Sequence, residues 1–328
     1  MKYIFVIHSH TVFLTALGTI EYLSLDKKDV IFFYARNYKN TIIKPSCTII
    51  DISEMYKSYQ TGRKVLINRG YRKKKIREAD EFVDRYIGED YILFVPHFAF
   101  TLFQLLYTNH HCRKACYLQE GGIPFKQAYS ITFPWYKRFF YSFINKTILS
   151  DGRIKLPRKW YVDGFLSKQG EVDAFAVSKT FFKYLPADIH IVKWPIIDTG
   201  VTIQSNCPIF VFDGFISNHH IEKDFYYMMC RKIIEKEKKS INYIKFHPMQ
   251  SKEERLDILS FFKKEDNCIS LDDNIPFELI LASKESLRVI GFESSLLYFA
   301  RDLGHEVVFY GQLLNRSKLF ARYKEKSY

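Results

Sequence analysis

The sequence predicts an α/β protein built of two Rossmann-like halves facing a central cleft. Two observations carry that prediction. Short apolar runs alternate with helix-length segments along the whole chain, which is the pattern of a largely parallel sheet. The alternation breaks once, from Trp194-Pro195 to Pro208, in a stretch of Pro, Asp, Gly, Thr and Asn, and then starts again.

In the first half, Lys2 to Ile7 reads as a strand and Thr11 to Leu25 as a helix. Val30 to Tyr34 and Thr48 to Ile52 read as further strands, followed by a long basic helical region. Tyr91 to Val95 is a strand, Ala99 to Tyr107 a helix, and Lys114 to Leu118 a strand that runs into Gln119-Glu120-Gly121-Gly122. In the second half, strands are expected at Ile209 to Phe212, Asn242 to Phe246, Ile269 to Leu271, Leu287 to Ile290 and Glu306 to Tyr310. Helices are expected at Ile221 to Lys236, Lys252 to Phe262, Phe277 to Ala282 and Ser295 to Leu303, with a basic helical tail after them. The expected domains are therefore 1–197 and 198–328. No internal repeat or heptad is present.

With 328 residues, 47% of them hydrophobic, the chain can bury one large core or two ordinary ones. Its net charge of +13 implies an anionic partner: nucleic acid, a lipid surface or an acidic sugar nucleotide. The charge is clustered. Lys57 to Arg77 carries Arg63, Lys64, Arg69, Arg72, Lys73, Lys74 and Lys75. Phe133 to Tyr161 mixes Lys137, Arg138, Lys146, Arg153, Lys155, Arg158 and Lys159 with Trp135, Tyr136, Phe139, Phe140, Tyr141 and Phe143. Such a mixture suits docking on an anionic leaflet, and suits equally a helix pair with solvated cations and buried rings.

His8, Ser9 and His10 interrupt the apolar opening before a signal-peptide core could form. The longest apolar run, Tyr91 to Tyr107, contains Pro96 and His97 and falls short of the roughly 20 residues of a spanning helix. Six cysteines without a framework pattern fit a reducing compartment, so the expected location is cytoplasmic. His110, His111, Cys112 and Cys116 have no second ligand pair at a usual zinc spacing, and no metal site is expected.

Three short patches in the last third belong together: Phe246-His247-Pro248, Ile275-Pro276-Phe277-Glu278 and Phe292-Glu293-Ser294-Ser295-Leu296. Each lies where an α/β sheet gathers ligands, beyond the carboxyl end of a strand. His247 just past a strand can donate to a phosphate oxygen, with Pro248 fixing the turn. Glu278 in the first turn of a helix can grip two ribose hydroxyls. Ser294 and Ser295 at a helix start form an anion site. Taken singly, each has a plain structural use, as a capping histidine, a helix-dipole carboxylate and a cap. As an ordered set they point to a nucleotide.

These patches, in this order, resemble the bacterial sialyltransferases of the GT-B fold, and Leu118-Gln119-Glu120-Gly121 is similar to that family's two-acid-plus-glycine motif, with Gln119 in place of one acid. The resemblance implies an inverting transfer of sialic acid from CMP-sialic acid to a hydroxyl of a terminal sugar, with galactose the expected one. The acceptor would be a bacterial surface glycan such as lipopolysaccharide, O-antigen or capsule. No cofactor and no metal would be required. Domain 1–197 would bind the acceptor and supply the base, Glu120. Domain 198–328 would bind the donor: His247, Ser294 and Ser295 would stabilise the charge growing on the leaving phosphate, and Glu278 would hold the ribose. The acceptor would be lipid-linked, with the enzyme peripheral on the inner face of the cytoplasmic membrane. His97, Asn109 and Trp194 are candidates for the acceptor side without a motif to support them.

Two other readings stand beside this one. Another GT-B enzyme would use a UDP- or GDP-sugar. A non-catalytic basic protein would hold RNA or membrane, with only the charge in its favour and no nucleic-acid-binding signature.

Overall fold

The computed structural model of the chain describes residues 1–40, 43, 45–59, 68–121, 134–156, 172–182 and 188–327, with backbone alone for 324–327. It divides into two compact units, Met1–Trp194 and Pro195–Tyr328.

The first unit is organised by a seven-stranded parallel sheet: β1 (Lys2–Ile7), β2 (Val30–Tyr34), β3 (Thr48–Asp51), β4 (Tyr91–Val95), β5 (Cys112–Leu118), β6 (Asp173–Ala176) and β7 (Asp188–Ile191). Their order across the sheet is β3-β2-β1-β4-β5-β6-β7. Strands covered on both faces read as unbroken apolar runs. That is why Ile4-Phe5-Val6-Ile7 and all of Val30–Tyr34 are buried. Phe5 stacks on Phe94 with centroids 4.2 Å apart and meets Phe32 edge-on at 5.9 Å, joining three neighbouring strands.

Helix α1 (His10–Tyr22) is capped by the Ser9 hydroxyl, which accepts from Val12 N–H. It is apolar on nearly all sides, and its buried Thr15 and Thr19 donate back to the carbonyls of Thr11 and Thr15. A Cβ on Gly18 would lie 2.3 Å from the Lys193 carbonyl oxygen, so glycine there lets the chain after β7 lie directly on the helix. Trp194 seals the contact by donating its indole N–H to Thr15 Oγ1 at 3.1 Å. The basic helical region resolves into α2 (Ser53–Tyr59) and α3 (Arg69–Tyr86), and Arg63 and Lys64 fall outside the described residues. Next come α4 (Thr101–Tyr107) and α5 (Trp135–Thr147).

The second unit repeats the plan with β8 (Pro208–Val211), α6 (Lys223–Glu237), β9 (Ile241–Lys245), α7 (Lys252–Leu259), β10 (Asn267–Ser270), α8 (Phe277–Ser283), β11 (Arg288–Gly291), α9 (Ser295–Asp302), β12 (Glu306–Phe309) and the tail helix α10 (Lys318–Ser327). Its parallel order is β10-β9-β8-β11-β12. In both units the strand order reverses beside the first strand, between β1 and β4 and between β8 and β11. Those are the switch points at which such sheets bind ligands.

Two strands are not legible in the sequence, β6 and β7. Each is four residues long and opens on an aspartate, Asp173 or Asp188. Asp173 is stabilised there by Lys114 and by His190 Nε2 at 2.9 Å, partners far away in sequence.

Candidate active site

The carboxyl edge of the first sheet gathers four polar side chains, one from the end of each of four adjacent strands. They are His8 after β1, Arg36 after β2, His97 after β4 and Glu120 after β5. Glu120 is buried, and its Oε2 lies 3.3 Å from His8 Nε2 and 4.0 Å from His97 Nε2. Burial holds His97 down to about 4 despite the raising influence of Glu120, with His8 and Arg36 depressing it further, so its ring is neutral near pH 7. The His8 side chain is nearly enclosed, and its ring nitrogens make no hydrogen bond among the described residues. Arg36 adopts a left-handed backbone (φ 58°), donates to Tyr56 Oη at 2.9 Å and lies over the Phe100 ring.

Adjacent residues 119 and 120 have separate tasks. Gln119 is wholly buried, and its Oε1 accepts from Val177 N–H at 2.7 Å, tying β5 to the chain beyond β6. The position that departs from the sialyltransferase pattern is thus a structural link. Gly121 approaches Thr11 near the start of α1, and Gly122 lies outside the described residues. Of the other candidates, Asn109 is engaged with Asp80 and the His111 N–H, and Trp194 with Thr15.

Two groups among the described residues have the ligand atoms for a metal ion, His8–His97–Glu120 and Asp84–His110–His111, each with those atoms within 4.8 Å of one another. Cys112 and Cys116 belong to neither, and burial pushes both thiols up to about 12.

In the second unit the three patches meet at the carboxyl edge of the five-stranded sheet. His247 follows β9 and is half-buried. Its Nδ1 accepts from Met249 N–H at 3.2 Å, which leaves Nε2 as the protonated nitrogen and a hydrogen-bond donor. Burial, helped by Arg255, lowers its pKa, so the ring is neutral at pH 7. The turn through the exposed Pro248 is closed by Gln250, whose Oε1 accepts from His247 N–H at 2.8 Å. Ser294 caps α9 by accepting from Leu296 N–H, and Ser295 is the first helical residue. Glu278 lies half-buried in the first turn of α8. The loop leading to it is held by Lys245, a buried cation that donates to the carbonyls of Asp272 at 2.7 Å and Ile275 at 3.0 Å. Desolvation lowers the Lys245 pKa, with Asp273 and Glu278 opposing.

Sequence reasoning missed the residues that stand between two of these patches, that of His247 and that of Glu293 to Ser295. Asp213 and Gly214 follow the central strand β8. A Cβ on Gly214 would stand 2.8 Å from His247 Nδ1. On the other side, Asp213 Oδ2 accepts from Glu293 N–H at 3.5 Å, one residue before Ser294. The available signal was an Asp-Gly pair directly after an apolar run.

In the second unit, a neutral imidazole N–H, two hydroxyls and a helix start have the chemistry to bind a phosphate; in the first unit, separately, a buried carboxylate has the chemistry to take a proton. The model of the alpha-2,8-polysialyltransferase family (POLYST) matches residues 128–311, more than half of the chain. The matched stretch contains Asp213, His247, Glu278, Ser294 and Ser295 and begins after Glu120. No curated protein sequence matches the chain. Among solved structures, a sialyltransferase from Photobacterium damsela aligns at 15% identity with a TM-score of 0.53, covering 97% of this chain and 77% of that one. A protein described as a UDP-N-acetylglucosamine 2-epimerase, from Listeria monocytogenes, aligns at 10% identity with a TM-score of 0.51, covering 99% and 82%. The spinosyn forosaminyltransferase SpnP aligns at 8% identity with a TM-score of 0.51, covering 94% and 80%. At these identities the likeness is one of fold, the two-sheet GT-B architecture. The chain belongs to the alpha-2,8-polysialyltransferase family, and it is a sialyltransferase on a GT-B fold.

Proposed function

We propose that the chain transfers sialic acid from CMP-sialic acid to a hydroxyl at the end of a bacterial surface glycan, with inversion and without a metal. The observation that carries this reading is the position of Asp213-Gly214 at the switch point of the second sheet, with His247 against Gly214 on one side and, on the other, the Glu293 N–H on Asp213 just before the Ser294-Ser295 helix start. The His247 Nε2–H, the serine hydroxyls and the α9 start face the growing charge of the CMP phosphate, and Glu278 holds the ribose. Glu120 takes the proton of the acceptor hydroxyl, with His8 Nε2 3.3 Å from its Oε2.

From the sequence alone the expected acceptor is galactose. The α-2,8 description of the family favours a glycan ending in sialic acid, whose carboxylate would suit Arg36 on the same sheet edge as Glu120. Capsule and lipopolysaccharide are the surface glycans to which this chemistry would apply.

Helix α5 supports a peripheral contact with an anionic leaflet. Helical spacing puts Trp135, Tyr136, Phe139, Phe140 and Phe143 on one face, all exposed, with Trp135 74% and Phe139 73% accessible. Asn145, on the opposite face, is bonded to the backbone of Leu156. No acidic residue occurs between Glu120 and Asp151, and Lys137, Arg138 and Lys146 flank the rings. Phe133, Arg158 and Lys159 lie outside the described residues. No helix of the described residues is long and apolar enough to cross a membrane. Co-sedimentation with vesicles tests the contact: it should need anionic lipid and weaken in Phe139→Ser, and binding indifferent to lipid charge argues against it.

The central test follows CMP release from CMP-sialic acid, with α-2,8-linked sialyl oligosaccharides and with galactosides as acceptors. Release should be lost in His247→Ala. Glu120→Gln should keep slow donor hydrolysis and lose transfer. Turnover should persist in excess EDTA, and its loss there would assign the His8–His97–Glu120 group to a metal. No CMP release with either acceptor, and no protection from heat unfolding by CMP, would remove the reading and turn attention to UDP- and GDP-sugars.

A further inference from the structure

Of the two groups that bring three ligand atoms together, His8–His97–Glu120 is the poorer place for a metal ion. His97 Nδ1 accepts from Ala99 N–H at 3.2 Å, so the neutral ring carries its hydrogen on Nε2 and has no lone pair there to give an ion. Asp84–His110–His111 has no such conflict. It lies before the start of β5, where the turn after α4 meets the last turn of α3. Glu120 stands past the other end of the seven-residue strand β5, about 20 Å away.

The group is held from behind. Asp80, one helical turn before Asp84, accepts from Asn109 Nδ2 at 2.8 Å, and Asn109 Oδ1 accepts from His111 N–H at 2.9 Å. His111 O accepts from Tyr91 N–H at 2.9 Å, which ties the same turn to β4. Arg113 grips Asp90 with Nε at 2.7 Å and Nη2 at 2.8 Å, and the Asp90 carboxyl stands 3.7 Å from His111 Nδ1. At the far side of the ring, His111 Nε2 is 3.6 Å from Asp84 Oδ1. That gap is long for a hydrogen bond and close to the roughly 3.4 Å between two ligands of one tetrahedral ion. The His110 ring stacks on His111 with centroids 4.0 Å apart and makes no hydrogen bond or ion pair among the described residues. No lysine or arginine among the described residues pairs with Asp84, although an acid in the last turn of a helix stands at the negative end of the dipole.

We propose that Asp84, His110 and His111 bind a divalent transition-metal ion, zinc being the best match, with Asp90 orienting His111 from behind. Two imidazoles and one carboxylate suit Zn²⁺, Ni²⁺ or Cu²⁺ better than Mg²⁺ or Ca²⁺. His111 turns Nε2 to the ion and its Nδ1–H to Asp90, the arrangement that fixes the tautomer of a metal-bound histidine. One ligand comes from α3 and two from the turn before β5, so the ion clips the helix to the sheet. Asp84 and His110 are exposed, which leaves the fourth position of a tetrahedral ion to water. The ion takes no part in the transfer, because the length of β5 separates it from Glu120.

The test is titration of the EDTA-stripped and dialysed full chain with zinc chloride in excess Mg²⁺, read by competition with a chromophoric chelator. Wild type should bind zinc and unfold at a higher temperature with it. The stoichiometry should fall by one equivalent in Asp84→Asn and in His110→Gln, both changes at exposed side chains, and stay at the wild-type value in His97→Gln. Asp90→Asn should keep the equivalent and weaken it by about tenfold to a hundredfold. Loaded instead with Cu²⁺, wild type should show two nitrogen ligands by electron paramagnetic resonance, and His110→Gln one. No zinc binding by wild type overturns the inference, as does an undiminished stoichiometry in Asp84→Asn and His110→Gln. A loss in His97→Gln alone overturns it too, and moves the ion to the group around Glu120. An Asp90→Asn variant with wild-type affinity removes Asp90 from the site.

Discussion

Gly214 lies flush against the imidazole of His247: a Cβ at residue 214 would sit 2.8 Å from Nδ1 and 3.4 Å from Cε1. The backbone of residue 214 is not in the left-handed region, so alanine is conformationally acceptable there and its only effect is to push the ring. Gly214→Ala should weaken CMP binding by about tenfold to a hundredfold, the scale of a displacement near 1 Å at a reacting group. Stability should change by no more than about 1 kcal/mol. Calorimetry and thermal unfolding of the same preparation check both halves. An unaltered CMP affinity would show that His247 does not contact the donor.

Lys245 provides the second test, because it acts on the Glu278 loop and not on a ligand. Lys245→Met keeps the stem and removes the donor to Asp272 O and Ile275 O. Leaving two carbonyls short of a partner should cost on the order of 2 kcal/mol. If Glu278 holds the ribose, wild type should prefer CMP to deoxy-CMP, and the variant should lose much of that preference. A preference that survives intact would separate Glu278 from the ribose.

Gln119→Glu restores the acid that the family resemblance leads one to expect, and should not help the enzyme. The side chain is fully buried and its Oε1 is already used by Val177 N–H. A carboxylate there has a second oxygen without a partner, so burial raises its pKa above the unfolded value of about 4.3. The penalty is therefore absent below that value and grows as pH rises. Denaturant unfolding should show a loss of about 2–4 kcal/mol at pH 8 that shrinks toward pH 4.5. Higher transfer activity in this variant would reassign the base.

His97 makes the fold sensitive to acid. Its folded pKa of about 4 lies below the unfolded value near 6.5, so the unfolded chain binds the extra proton between the two. The contribution of the neutral ring is fully present above pH 6.5 and is lost as pH falls toward 4, to an extent of about 3 kcal/mol. His97→Gln should flatten this part of the profile, measured by circular dichroism at pH 7.5, 5.5 and 4.5. An unchanged slope would assign the acid sensitivity to other groups.

The sheets were legible because their central strands are covered on both faces, and Val30-Ile31-Phe32-Phe33-Tyr34 can hardly be anything else. Asp173-Ala-Phe-Ala could not be recognised, since what makes it a strand is its pairing with Cys116-Tyr117-Leu118 more than fifty residues earlier. In the site, His247, Glu278, Ser294 and Ser295 could be read because each sits beside a proline or a second hydroxyl that marks a turn or a helix start. Asp213 and Lys245 could not. An Asp-Gly pair reads as a turn, and a lysine closing a strand reads as a solvated end. Only the tertiary contacts show that both are buried and occupied with their neighbours.

The seating of Trp194 on α1, through Thr15, has a spectroscopic consequence. The chain holds three tryptophans, Trp135, Trp160 and Trp194, and all precede Pro195. Trp194 is enclosed against α1, whereas Trp135 stands in solvent on α5. Indole emission should therefore have a blue, quencher-resistant component from Trp194 and a red, quencher-sensitive one from Trp135. Lipid should shift only the second, and loosening of the first unit chiefly the first. The second unit contains no indole, so nucleotide and heat effects confined to it are dark in tryptophan emission and must be followed through its tyrosines.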